Sequence, residues 1–128
     1  MNEVWYLASP YSHKDHKVVS DRYDKTQIAT VWLLRQQIWT YSPIVHCHEL
    51  AQRFKLPTDA KYWEDYNHTM IEKFTGVMVL LLEGWQDSKG VANEVIHALS
   101  LAKPVREIAI QNDEFVFTNG QYLFRAKS

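Results

Sequence analysis

Apolar positions along this chain alternate between short continuous runs and helical stripes. Val4-Trp5-Tyr6-Leu7-Ala8 is an apolar run rich in β-formers, and it stops at Ser9-Pro10-Tyr11-Ser12. This predicts a first strand buried on both faces and ending in a loop. Roughly residues 17–38 form a predicted helix, with Ile28, Val31, Leu34 and Ile38 recurring at spacings of three and four along one face of it. Tyr41 to Val45 predicts a second short strand, interrupted by Pro43, and residues 46–60 read as mixed, punctuated by Pro57, Thr58 and Asp59. From about 59 to 74 a helix is predicted, capped by Thr58 or Asp59, with Trp63, Tyr66, Met70 and Phe74 on one stripe.

Val77-Met78-Val79-Leu80-Leu81-Leu82 has no polar alternation, so both its faces should be covered. Glu83 to Gly90 reads as a loop. Residues 90–102 read as a helix with Val91, Val95, Ala98, Leu99 and Ala102 inward, stopped by Lys103-Pro104. Val105 to Ile110 is a further strand. In the tail, Asn119-Gly120 between Phe115-Val116-Phe117 and Gln121-Tyr122-Leu123-Phe124 signals a β-hairpin. The strand–helix alternation predicts an α/β fold: a Rossmann/flavodoxin-like three-layer sandwich, with a mostly parallel sheet of about five strands and a C-terminal β-hairpin. Ligands of such sheets sit at the carboxyl ends of the strands. Ala8 to Ser12, Pro43 to His48 and Glu83 to Glu94 are therefore the stretches where chemistry is expected.

Length and composition narrow this further. The 128 residues make one domain, 1–128. A formal net charge of −1 argues against a polymeric nucleic acid as partner but leaves a small charged substrate open. Cys47 is the single cysteine, so no intrachain disulfide can form, which fits a reducing compartment. No basic region precedes a long apolar stretch at the N-terminus, and Val77 to Leu82 is too short to span a bilayer. Neither a signal peptide nor a membrane partner is expected, and the default location is cytoplasmic.

The stretch Gly84-Trp85-Gln86-Asp87-Ser88-Lys89-Gly90-Val91-Ala92-Asn93-Glu94 leaves the most buried strand and enters a helix. Ser88 and Gly90 stand at the helix start, where free N–H groups and the helix dipole make an anion site. Glu94, in the second turn among apolar neighbours, can act as a nucleophile in a retaining glycosyl transfer. On spacing alone, an ordinary N-cap and an ordinary helix glutamate remain open. Ser9, Pro10, Tyr11 and Ser12 can line the same cleft or form a plain polar turn. Tyr6 can point to the cleft or to the core, and Arg22 can reach a phosphate or stand in solvent. Trp85 is either a base-stacking platform or packing. His46-Cys47-His48, with His13 and His16, lacks the spacing of a metal site, so no metal and no cofactor are expected; these residues suit a strand end or the pocket rim.

These residues resemble the nucleoside 2-deoxyribosyltransferase superfamily, most closely a branch common in bacteria and phages and related to 2′-deoxynucleoside 5′-monophosphate N-glycosidases. The matching pieces are Tyr6 to Ser12, Arg22, Tyr41-Ser42-Pro43-Ile44 with His46 and His48, Trp63 with its helix, and Gly84-Trp85 through Ser88, Gly90 and Glu94. The resemblance spans roughly residues 4–106. It implies that Glu94 attacks the anomeric carbon to form a glycosyl-enzyme, that Tyr6 orients that carboxylate, and that Ser9 and Ser12 lie near the sugar or its 5′ substituent. Relatives acting on free nucleosides tend to carry an aspartate where this chain has Ser88, whereas those acting on 5′-monophosphates carry serine. A carboxylate there would repel a phosphate and a serine would accept it. The chain departs from the family at Asn67, aligned with an aspartate that helps protonate the leaving base; an amide can hydrogen-bond a base but donates a proton poorly.

The implied function is N-glycosidic cleavage or base exchange on a (deoxy)nucleoside 5′-monophosphate or nucleoside, and the implied partner is that small molecule. A homo-oligomer, dimer or higher, is a further implication of the resemblance. Two other functions stay open: a nucleotide-binding or sequestering module, which Asn67 favours, and an interaction protein with a vestigial pocket, which uses the aromatic segment 115–124 as its contact surface.

Overall fold

In a computed structural model, which describes residues 2–124, the strands are β1 (Val4–Ala8), β2 (Trp39–Tyr41), β3 (Gly76–Leu80), β4 (Val105–Gln111) and β5 (Glu114–Thr118). They form one sheet in the order β2-β1-β3-β4-β5, parallel throughout except that β5 runs antiparallel to β4. The helices are α1 (His16–Arg35), α2 (Pro43–Phe54), α3 (Ala60–Lys73) and α4 (Lys89–Ser100). The chain is therefore a mixed α/β protein with a mostly parallel sheet and a C-terminal hairpin. Among the described residues, no helix is long and apolar enough to cross a membrane.

Alternation along the strands divides the core in two. Trp5, Leu7, Met78, Leu80 and Ile108 point to one face, where Ala29 and Leu33 of α1 pack on them. Tyr6, Ala8, Val77, Val79 and Val105 point to the other, against Ile71 of α3 and Val91 and Ala98 of α4. β3, the central strand, is buried along its whole length, as its unbroken apolar run requires.

The tertiary structure departs from the sequence pattern at four places. First, the predicted strand over 41–45 ends at Tyr41, and the mixed segment that follows is largely α2. Ser42 caps it by accepting from the Val45 N–H at 3.1 Å, and Pro43 takes the first helical position, where its missing N–H costs nothing. Second, the hairpin turns at Asn112-Asp113, not at Asn119-Gly120. Both turn residues have positive φ (52° and 62°), the geometry of a two-residue turn whose twist matches its strands. Third, α1 buries Thr26, Ala29, Thr30 and Leu33, while Ile28, Val31 and Leu34 face outward. Fourth, α4 buries Glu94 with Val91 and Ala98 and leaves Leu99 exposed, and Ala102 lies beyond its end, also exposed.

β5 and the segment after it are held by a buried carboxylate. Glu107 on β4 accepts from the Thr118 hydroxyl at 2.6 Å and from the N–H groups of Tyr122 (3.1 Å) and Leu123 (2.9 Å). The chain also runs tight at the start of β3. A Cβ on Gly76 would stand 2.3 Å from the carbonyl oxygen of Pro104 and 2.9 Å from the Trp5 ring. Because the nearest obstacle is backbone, Gly76→Ala should lower stability by about 1–3 kcal/mol, which equilibrium urea unfolding would detect.

Candidate active site

β1 and β3 are neighbours in the sheet, yet the chain leaves them for opposite faces, to α1 and to α4. This is the arrangement that opens a crevice at the carboxyl ends of strands. Arg22 of α1 ties the two loops at this point: one guanidinium nitrogen donates to the Ser12 carbonyl at 3.0 Å and another to the Glu83 carbonyl at 3.2 Å. Gly84, beside it, has φ 90°, and a side chain there would collide with Arg22. Arg22 thus acts as a clamp between loops rather than as a free surface cation.

On the α4 side of the sheet, the Tyr6 hydroxyl donates to Glu94 Oε2. Glu94 is 6% exposed, and its neighbours on α4 are buried in the same cluster as Tyr6. Burial raises the Glu94 carboxyl pKa to about 7, and the Tyr6 hydrogen bond partly opposes that rise. The Tyr6 phenol is pushed well above its ordinary value, first by burial and then by the Glu94 charge, so it remains a proton donor to the carboxylate. The pair joins a carboxyl that can change charge near neutral pH to a fixed donor that orients it.

The start of α4 adjoins this pair. Trp85–Asp87 form a short 3₁₀ turn, and Ser88 then caps α4 by accepting from the Val91 N–H at 3.2 Å. The helix's first N–H groups, short of intrahelical partners, lie at this end. A methyl group placed on Gly90 would lie 3.9 Å from both Glu94 Oε1 and Ser88 Oγ, so one small open volume is flanked by the carboxylate and the hydroxyl. Trp85 is half-buried beside it in sequence.

The remaining predicted residues fall into distinct places. Ser9 is buried and its hydroxyl sits 3.3 Å from that of Thr26; Pro10 is buried too, and Ser12 is exposed. Tyr11 is bound at 2.5 Å to Nδ1 of His48, whose ring stacks on Tyr23 at 3.9 Å. Burial lowers the His48 pKa, as expected for a neutral packed imidazole. His46 is exposed, with its ring centroid 5.8 Å from that of Tyr41. Asn67 lies one turn before Ile71, which packs in the Tyr6 cluster, and its Oδ1 is buried without a hydrogen-bond partner. An unpaired buried acceptor is costly, and such atoms mark sites that a ligand can complete. Next to it, His68 stacks on His97 at 4.0 Å and its Nε2 is likewise buried and unpartnered.

Sequence reasoning did not single out Thr26 or Tyr23, and it placed Tyr66 only on the stripe of the helix over 59–74. Tyr66 bonds the Tyr41 hydroxyl at 2.6 Å, and the Tyr41 ring stacks on Phe74, which in turn neighbours Tyr6. The contacts Ser9–Thr26, Tyr23–His48 and Tyr41–Tyr66 join residues 17 to 25 positions apart along the chain, so no local pattern announces them. Among the described residues, no group of three or more His, Cys, Asp or Glu side chains could hold a metal ion.

The raised Glu94 carboxyl predicts a pH signature in stability. A group whose folded pKa exceeds its unfolded value stabilises the fold below the unfolded pKa and loses that contribution as pH rises through the folded one. Relative to a Glu94→Gln variant, the wild type should therefore lose stability between about pH 4.5 and 7, by up to about 3 kcal/mol, with the difference level above that window. Urea unfolding of both proteins from pH 4 to 8 checks this; a difference that does not change with pH would refute it.

No curated protein matches this chain. Residues 3–110, most of its length, match the family described as a domain of unknown function, DUF1937, and the chain belongs to that family.

Proposed function

We propose that this protein cleaves the N-glycosidic bond of a (deoxy)nucleoside 5′-monophosphate or nucleoside, or exchanges its base, with Glu94 as nucleophile. The observation that carries this reading is the buried Tyr6–Glu94 pair beside the capped start of α4. Ionised Glu94 attacks the anomeric carbon as the carbon–nitrogen bond breaks. The electron pair leaves with the base, which takes up a proton, and a sugar ester of Glu94 remains. Water or a second base then displaces the glutamate, giving hydrolysis or transfer. Tyr6 is a positioning residue that holds Oε2 and leaves Oε1 on the side of Gly90. Ser88 and the α4 N-terminus suit a 5′-phosphate, Trp85 offers a wall for the base, and the open acceptor of Asn67 suits an amino group on it.

The strand order is that of flavodoxin-like doubly wound sheets, which supports the three-layer Rossmann/flavodoxin-like reading; the antiparallel β5 is an addition to it. The single cysteine, Cys47, fits a reducing cytoplasm.

Asn67 favours a second reading, a nucleotide-binding protein without turnover, because an amide has no proton to give the leaving base. Chromatography of purified protein incubated with deoxynucleoside monophosphates and free nucleosides, with and without an acceptor base, separates the two. Free base released by the wild type and not by Glu94→Ala is the expected result. Equal release by Glu94→Ala would overturn the mechanism, and intact substrate that still binds would support the second reading.

The pH profile should carry the same signature. The rate is expected to fall below about pH 7 as Glu94 takes up a proton. In Tyr6→Phe, which loses the hydrogen bond favouring the charged form, that limb should move to higher pH.

A further inference from the structure

α1 carries its apolar side outward. Its buried face is Thr26, Ala29, Thr30 and Leu33, whereas Ile28 is 60% exposed and Val31 44%. At about 100° per residue, Asp24, Ile28, Val31 and Arg35 all fall within about 30° of one line, directly opposite the buried face. The stripe has two β-branched residues at its centre, an acid at one end and a base at the other. All four are exposed, and among the described residues neither Asp24 nor Arg35 makes an ion pair.

This pattern is self-complementary. A register that sets Ile28 against Val31 of an antiparallel copy also sets Asp24 against Arg35, because each charged residue lies four positions outside its apolar neighbour. Two-fold symmetry repeats both contacts, so both ends are neutralised and the apolar centre is closed. A parallel arrangement would instead stack acid on acid and base on base. We infer that α1 pairs with α1 of a second copy of this chain in this antiparallel register. The pairing uses the outer side of α1 and is independent of the chemistry proposed for Glu94.

A single helix pair lies at the small end of specific interfaces, so the dimer should dissociate in the micromolar range. Sedimentation equilibrium of the full chain from about 1 to 100 µM tests this. The wild type is expected to show a monomer–dimer equilibrium. Ile28→Glu and Asp24→Arg should each raise the dissociation constant about tenfold or more, with unchanged circular dichroism because both positions are exposed. The paired exchange Asp24→Arg with Arg35→Asp restores complementarity only in the antiparallel register and should recover most of the affinity. A wild type that stays monomeric, a dimer indifferent to Ile28→Glu, or a double variant as weak as Asp24→Arg alone would each overturn the inference.

Discussion

The Tyr6 hydroxyl and the Glu94 carboxylate meet inside the molecule although 88 residues separate them in sequence. Taking a carboxylate out of water is expensive, and one hydrogen bond does not offset it, as the pKa near 7 records. The surrounding structure holds the pair in place: β1 lies between β2 and the central strand β3, β3 is buried along its length, and α4 packs through Val91 and Ala98 on either side of Glu94. The apolar packing of β1, β3 and α4 keeps the carboxylate in surroundings that raise its proton affinity.

Around that pair the loops are tied rather than loose. Arg22 spans from α1 to carbonyls in the loops after β1 and β3, so two segments distant in sequence share one cation. Ser9 adds a contact to Thr26 one helical turn beyond Arg22. These ties hold the loops after β1 and β3 to α1 at the carboxyl ends of the strands.

The inverted face of α1 follows from the same economy of polar groups. Thr26 and Thr30 donate their hydroxyls to the carbonyls of Arg22 and Thr26, one turn back along the helix. With those hydroxyls satisfied, a face of small and polar residues can be buried at close approach to the sheet. Trp32, on the flank of the helix, covers Phe115 and Phe117 of β5.

Much of the fold was legible in the sequence because it depends on local physics. The unbroken apolar runs at Val4–Ala8 and Val77–Leu80 read as strands covered on both sides, and Ser88 stood at the start of a helical stripe, where a cap was one of the readings open. The strand–helix alternation followed from those elements, and the order and spacing of Ser88, Gly90 and Glu94 marked where chemistry was to be sought. Pairing and burial were not legible in the same way. Asn119-Gly120 carries the stronger turn signal, yet the turn forms at Asn112-Asp113, where the register of β5 against β4 closes it, while the Glu107 carboxylate holds the segment around Asn119-Gly120 from its other end. Ile28 and Val31 have the periodicity of a core face, but which side of α1 meets the sheet depends on close approach and hydroxyl satisfaction. That Glu94 reaches Tyr6, that Arg22 clamps two loops and that Asn67 keeps an open acceptor were decided only by tertiary structure, because each depends on groups that the chain brings together from distant positions.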